Sequence, residues 1–393
     1  MPISSLYCPL PIRNRQVVAP RDYGRRDRAI ELFAELRHHD AVRETLAYLL
    51  PGLAIPDLNQ EAFCFVQGSA RVRIQIVEDQ LAVSTVLAAL KPAAQATAAL
   101  RFFLTRISGT GQLFQPRLDA GVISLAFSEP LALMHPLKLV ELLQRMPNEA
   151  DRNDAWMIEQ FGVETPDREP VEPLDAAEFG RAWEIWTAHW HAVDELMIES
   201  RRRRSVRFLD ALGSFAANQL HYLLPMSGSV RARLIEAANT FNDRDEHPEK
   251  RDSALAKCAK AMAKFSAEEL KLCLGHAHFA INPLDEGTPS LLTSTLGSGG
   301  HMQTIGDLRA TGRAMEATLE LLSYYLYLLA HHSWTAEVEA ALRKGLDLVS
   351  DKPWREAADA LWNHANATAR ELGSHGERDR DTDRPGASGV GYE

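Results

Sequence analysis

The sequence predicts an α+β domain, an antiparallel sheet with helices, followed by an all-α helical-bundle domain. Period-two alternation of apolar residues is confined to the stretch from Ala62 to Phe127, whereas beyond Asp175 apolar residues recur at three- and four-residue spacing. Between these regions, segment 163–173 holds three prolines and four acidic residues and has no apolar face to bury. The 393 residues allow two or three domains at about 150 residues each. With 46% hydrophobic and 24% charged residues, the bulk of the chain is neither disordered nor collagen-like nor a disulfide scaffold. The expected map is an N-terminal extension (1–24), the α+β domain (25–162), a Pro/acidic linker (163–173), the helical-bundle domain (174–372) and a disordered tail (373–393).

In the first domain, Ile30, Phe33, Leu36, Val42, Leu46, Leu49 and Leu50 follow helical spacing, with a break expected around His38 to Asp40. Ala62–Gln67 is short and rich in aromatic and branched residues, and Gly68-Ser69 can supply a two-residue hairpin turn. Val72, Ile74 and Ile76 then alternate with Arg71, Arg73 and Gln75, the pattern of a strand with one buried and one wet face. Leu81, Val83, Thr85 and Leu87 give a third strand. Leu100, Phe103, Leu104 and Ile107 shift to helical spacing. A second hairpin spans 112–127 around Asp119-Ala-Gly121, where the glycine takes the left-handed position. Leu139, Leu142, Leu143 and Met146 mark a helix, and a shorter one is expected from Glu149 to Phe161, stopped by Gly162.

The resulting order, α-β-β-β-α-β-β-α over roughly Arg26 to Gly162, resembles the fold of type III secretion chaperones and of the YbjN-like bacterial family. Phe63-Cys-Phe-Val, Arg71-Val-Arg-Ile-Gln-Ile and Gly121-Val-Ile-Ser-Leu-Ala-Phe127, leading into Leu139-Val-Glu-Leu-Leu143, carry the likeness. The resemblance implies a secretion-chaperone-like cytoplasmic binding module, commonly dimeric, that holds an extended client segment on its sheet or helices. It brings no catalytic motif.

In the second domain, Asp175 with Glu178 reads as a capped helix start. Phe179, Trp183, Trp186, Trp190, Val193 and Met197 continue it as a packing seam. Further helices are expected through Leu209–Leu223, Val230–Phe241, Ser253–Phe265 and Ala267–Phe279. Ile305 to Leu329 reads as one long seam whose weak point is Gly312, a close approach or a bend. Val338–Val349 and Trp354–Leu372 complete the bundle. The polar stretches Asn242–Arg251 and Pro283–Gly300 read as loops.

Function is less legible. The net charge of −10 disfavours nucleic acid as a partner. No apolar run is long enough for a membrane span. The four cysteines, Cys8, Cys64, Cys258 and Cys273, lack CxxC spacing, and no secretory pattern opens the chain, so a cytoplasmic location is expected. His191 and Glu195 lie one helical turn apart beside His189, with His276 and His278 further on, but no HExxH pattern anchors them. Surface histidines, solvated or hydrogen-bonded, are therefore expected rather than a metal site. No catalytic residue, metal ligand or cofactor is assigned.

The candidate partner-binding residues are Arg71, Arg73 and Gln75 on the polar strand face, and Arg201, Arg202, Arg203 and Arg204, a run that also complements a helix dipole. The leading expectation is a non-enzymatic bacterial adaptor or chaperone. Its α+β domain would bind a protein client, or dock as a complex subunit, and its helical domain would bind a second partner or build a homo-oligomer. The rival is a metal-dependent enzyme or toxin-like effector using His189, His191, Glu195 and His276 or His278.

Overall fold

The computed structural model describes residues 4–15, 21–91, 96–107, 113–226, 228–243, 245–297 and 299–373. It is a mixed α/β protein. Two helices, α1 (Tyr23–Ala34) and α2 (His38–Leu49), precede three antiparallel strands, β1 (Phe63–Gly68), β2 (Ala70–Val77) and β3 (Gln80–Ala89). The break between the helices falls at Leu36, whose φ is 62°. Helix α3 (Ala96–Ile107), hairpin β4 (Gln115–Asp119) and β5 (Val122–Pro130), and helix α4 (Pro136–Phe161) follow. The side chains of Phe103, Leu104 and Ile107, part of the α3 stripe, lie outside the described residues.

The hairpins take the expected form. Gln67 pairs with Ala70 across Gly68-Ser69, and Asp119 pairs with Val122 across Ala120-Gly121. Gly68 and Gly121 adopt φ of 66° and 81°, as two-residue turns demand. The β2–β3 turn reaches positive φ without glycine, through Glu78 and Asp79 at φ of 50° and 58°. One sheet face is apolar: Phe65, Val72, Ile74, Leu81, Val83 and Leu125 pack beneath Leu139, Leu142, Leu143 and Met146 of α4.

Helix α4 runs unbroken through Pro147 instead of forming two helices. A proline removes one main-chain donor and crowds the preceding turn, yet this helix continues to Phe161 and stops at Gly162, φ 62°.

The helical half comprises α5 (Ala176–Arg203), α6 (Val206–Leu223), α7 (Gly228–Asn242), α8 (Pro248–Met262), α9 (Ala267–Lys271), α10 (Pro289–Leu296), α11 (Gly300–Ala310), α12 (Ala314–His331), α13 (Ala336–Asp347) and α14 (Trp354–Gly373). Asp175 caps α5 with a complete capping box, its carboxylate accepting from the Ala177 and Glu178 N–H groups. Trp186, Trp190, Leu212, Phe215, Leu322 and Tyr325 belong to one large core.

This half is not purely helical. It contributes the two-residue strands β7 (Gly275–His276), β8 (His278–Phe279), β9 (Asp285–Glu286) and β10 (His332–Ser333), where continuous helix was expected as far as Phe279. Strand β8 pairs with β1, so the sheet has six strands in the order β4-β5-β3-β2-β1-β8 and both halves of the chain build it. Helix α10 also replaces part of the expected 283–300 loop, capped by the Thr288 hydroxyl.

Two segments read as peripheral are built in. The 163–173 stretch is no free linker: Glu164 bridges Ala89, Arg168 bridges Ala70, and β6 (Glu172–Pro173) pairs with β7. Main-chain hydrogen bonds hold it, together with buried Val163 and the Arg168 guanidinium, which donates to the Leu87 and Ala150 carbonyls. The N-terminal extension buries Leu6, Cys8 and Ile12 in the helical core, and Leu6 bridges Ser350. The tail beyond Gly373 lies outside the described residues.

The long seam from Ile305 to Leu329 is two helices. α11 ends at Ala310, and Gly312 takes φ 77°, neither bending a continuous helix nor admitting a close neighbour. A Cβ built there would meet nothing within 4 Å. Gly312→Ala should therefore cost only the left-handed backbone penalty, about 1–2 kcal/mol, measurable as a lower urea midpoint with an unchanged slope.

Candidate functional site

The outer face of the sheet carries Cys64, Arg71, Arg73 and Gln75, flanked by small residues. One cross-strand row runs Cys64, Arg73, Ser84, Ala126, Gln115 through successive pairs, and a second joins Gln75, Ala82 and Ser128. Arg71, Arg73 and Cys64 are exposed, while Gln75, Ser84 and Ala126 are half-buried between neighbours. Alternation along β2 places the cations outward because Ala70, Val72, Ile74 and Ile76 are taken into the core. Arg71 is held by Asp167 at 3.3 Å and Glu169 at 3.1 Å, both in the 163–173 strap. Arg73 donates to Gln75 Oε1 at 3.2 Å and forms no ion pair among the described residues.

The arginine run closes the far end of α5 and is largely consumed within the protein. Arg202 and Arg203 bind Glu199, Arg203 also reaches Glu316 at 3.0 Å, and Arg201 reaches Asp252 at 3.0 Å. Glu199 and Glu316 are buried. The Arg202 hydrogen bond, with help from Arg203, holds the Glu199 carboxyl below its ordinary range against the opposing effect of burial. Only Arg204, in the left-handed cap position and exposed, makes no side-chain hydrogen bond or ion pair among the described residues. No hydrogen bond or ion pair joins this run to Arg71, Arg73 or Gln75.

The histidines are not gathered. His189 is buried, not on the surface: its Nδ1 lies 2.6 Å from Gln219 Oε1 and its Nε2 lies 3.0 Å from the Ala216 carbonyl oxygen. Burial pushes its pKa down to about 4, and the two hydrogen bonds offset this only partly. His191 is exposed and Glu195 half-buried, both bordering an open groove with Trp183 and Tyr7. His276 is buried against Glu178 at 3.3 Å, and His278 is exposed on β8. Among the described residues, no three His, Cys, Asp or Glu side chains are placed to share a metal ion.

A feature the sequence did not disclose lies where the halves meet. Helix α4 faces α6, α7 and the end of α12 across a trough floored by residues 281–285. Two adjoining hollows, of about 380 and 280 Å³, share Asn148, Pro283 and Asp285. His221 and His331 stack in its wall with ring centroids 5.3 Å apart. Asp151 fastens this junction: its carboxylate accepts from the Ser69 N–H at 2.7 Å and hydroxyl at 2.9 Å, and lies 3.5 Å from Arg231 of α7. The trough's lining comes from elements far apart in the chain with no common spacing, so no local pattern could reveal it.

No protein-family model matches this chain, and no curated protein matches it in sequence. No helix among the described residues is long and apolar enough to cross a membrane.

Proposed function

We propose that the protein is a non-enzymatic cytoplasmic adaptor or chaperone whose sheet carries a protein client and whose helical half engages a second partner or another copy. The observation that supports this reading is the uncovered outer sheet face, with small residues around the unpaired cation of Arg73. A flat face of short side chains lets another chain lie close to the strands, and a lone guanidinium offers an anchor for an acidic group. The reading agrees with the resemblance to secretion chaperones and YbjN-like proteins, in which client segments lie on the sheet or helices.

Cys64 supplies the test. It is exposed on this face, while Cys8 is buried and burial, aided by Asp351 and Asp347, pushes its thiol up to about 12. In a Cys258→Ser/Cys273→Ser background, a thiol-reactive photo-crosslinker should therefore label Cys64 in the native protein and Cys8 only after unfolding. Irradiation in extract of the native host should give one stoichiometric adduct, lost in Arg73→Glu. Absence of an adduct, together with stoichiometric bound metal in the purified chain, would replace this reading with that of a metal-dependent enzyme.

A further inference from the structure

The trough between the halves is rich in carboxamides. Gln67, Gln144 and Asn148 line one hollow, and Asn148, Asn218 and Asn239 the other. The Gln67 amide is engaged at both ends: it donates to the Ile281 carbonyl at 2.9 Å and accepts from the Ile281 N–H at 2.8 Å. That pairing is how a side-chain amide reads the main chain of one residue, satisfying its N–H donor and its carbonyl acceptor together. Its neighbours are not used in this way. The side-chain amides of Gln144 and Asn239 make no hydrogen bond among the described residues, Asn148 uses only its N–H, on the Gln144 carbonyl, and Asn218 uses only its oxygen, towards His331.

The charges argue against a phosphorylated ligand. The guanidiniums on the walls already face carboxylates, Arg145 with Glu141 at 2.6 Å and Arg231 with Asp151 at 3.5 Å, and Asp285 and Glu149 add negative charge. What the trough offers is a set of groups that donate and accept without net charge, the complement of a polypeptide backbone. Its two hollows together fall within the range of about 300–1,000 Å³ typical of ligand pockets.

We propose that this trough binds an extended polypeptide segment through its backbone, the remaining carboxamide donors and acceptors pairing with main-chain N–H and C=O groups as Gln67 pairs with Ile281. The inference rests on the client-binding reading and adds to it a second site, at the junction of the halves instead of on the sheet face. Because the contacts are to main chain, recognition depends weakly on the client's side chains and strongly on its amide hydrogens.

The test uses the full chain and a fluorescein-labelled, lysine-flanked Thr-Val repeat peptide, alongside a copy with alternate backbone nitrogens methylated. The parent peptide should bind, and both methylation and Asn148→Leu should weaken binding by about tenfold, the effect of losing one or two hydrogen bonds. Asn148→Asp, which conserves shape and removes the amide donor, covers the case in which the leucine variant does not fold. Failure of the parent peptide to bind, equal binding of the methylated copy, or unchanged affinity in both Asn148 variants would each overturn the trough. A Cys64 adduct that survives such a failure leaves the sheet-face reading standing, so the two proposals fail separately.

Discussion

Glu316→Ala is expected to destabilise the protein by about 3 kcal/mol, at the lower end of the 3–5 kcal/mol for breaking a buried ion pair. Glu316 is 4% exposed and carries two guanidiniums, those of Arg203 and Arg313. Through Arg203 it is linked to Glu199, and one turn along α12 Glu320 accepts both arms of Arg207 at 2.6 and 2.5 Å. The network joins the end of α5, the start of α6 and the start of α12. Removing one carboxylate strands charge in a partly desolvated place. The cost stays at the lower end because Arg203 and Arg313 retain 29% and 46% exposure and Arg203 keeps Glu199. Arg204→Ala is the control: exposed and outside the network, it should change stability by no more than about 0.5 kcal/mol. Urea unfolding of the two variants beside the parent checks both values. A neutral Glu316→Ala would show that the network is solvated, with surface-pair energies of about 0–1 kcal/mol, and would return Arg203 to the pool available to a partner.

That outcome bears on how a run of like charges is read. Arg201 to Arg204 suggested an interaction surface, but the carboxylates that take up Arg203, Glu199 and Glu316, lie four and 113 residues away, and only the first is within reach of local reasoning. The same division holds through the fold. Strands β2 and β3 and both glycine turns were legible because alternation and positive φ are local demands, met by Val72-Arg73-Ile74, Gly68 and Gly121. The strap of 163–173 was not, because backbone bridges to Ala89 and Ala70 leave no mark on side-chain pattern. Strand β8 was not, because two residues carry no period and their partners Gln67 and Gly68 lie about two hundred residues earlier. Gly312 and Pro147 show that the same kind of residue signal can mean opposite things. Glycine ended a helix whose spacing continued past it, while proline sat inside a helix whose spacing suggested a stop. The candidate sheet face was visible in the sequence as Arg71, Arg73 and Gln75. The trough was not, since its amides are gathered by tertiary contact alone.

His189 gives a large pH effect on the acid side. Its two ring nitrogens face two oxygens, Gln219 Oε1 and the Ala216 carbonyl, an arrangement that favours the doubly protonated ring. Burial opposes it and is the larger effect, taking the pKa from 6.5 to about 4. The native state therefore keeps the ring neutral through a range in which the unfolded chain binds a proton. Stability from this group is fully present above pH 6.5 and is lost as pH falls from there to about 4, by about 3 kcal/mol in total. His331, His332 and His364 are also lowered by burial and add to the same acid slope. His189→Gln, with each protein referred to its own stability at neutral pH, should remove about 3 kcal/mol of the acid loss and leave the slope of the other three. Denaturant titrations across the acid range decide it. If parent and variant keep the same slope, the buried ring is an imidazolium in the native state, satisfying both oxygens. The α5–α6 contact would then be held by a charge, and stability from this group would fall instead as pH rises from 6.5 through its folded pKa.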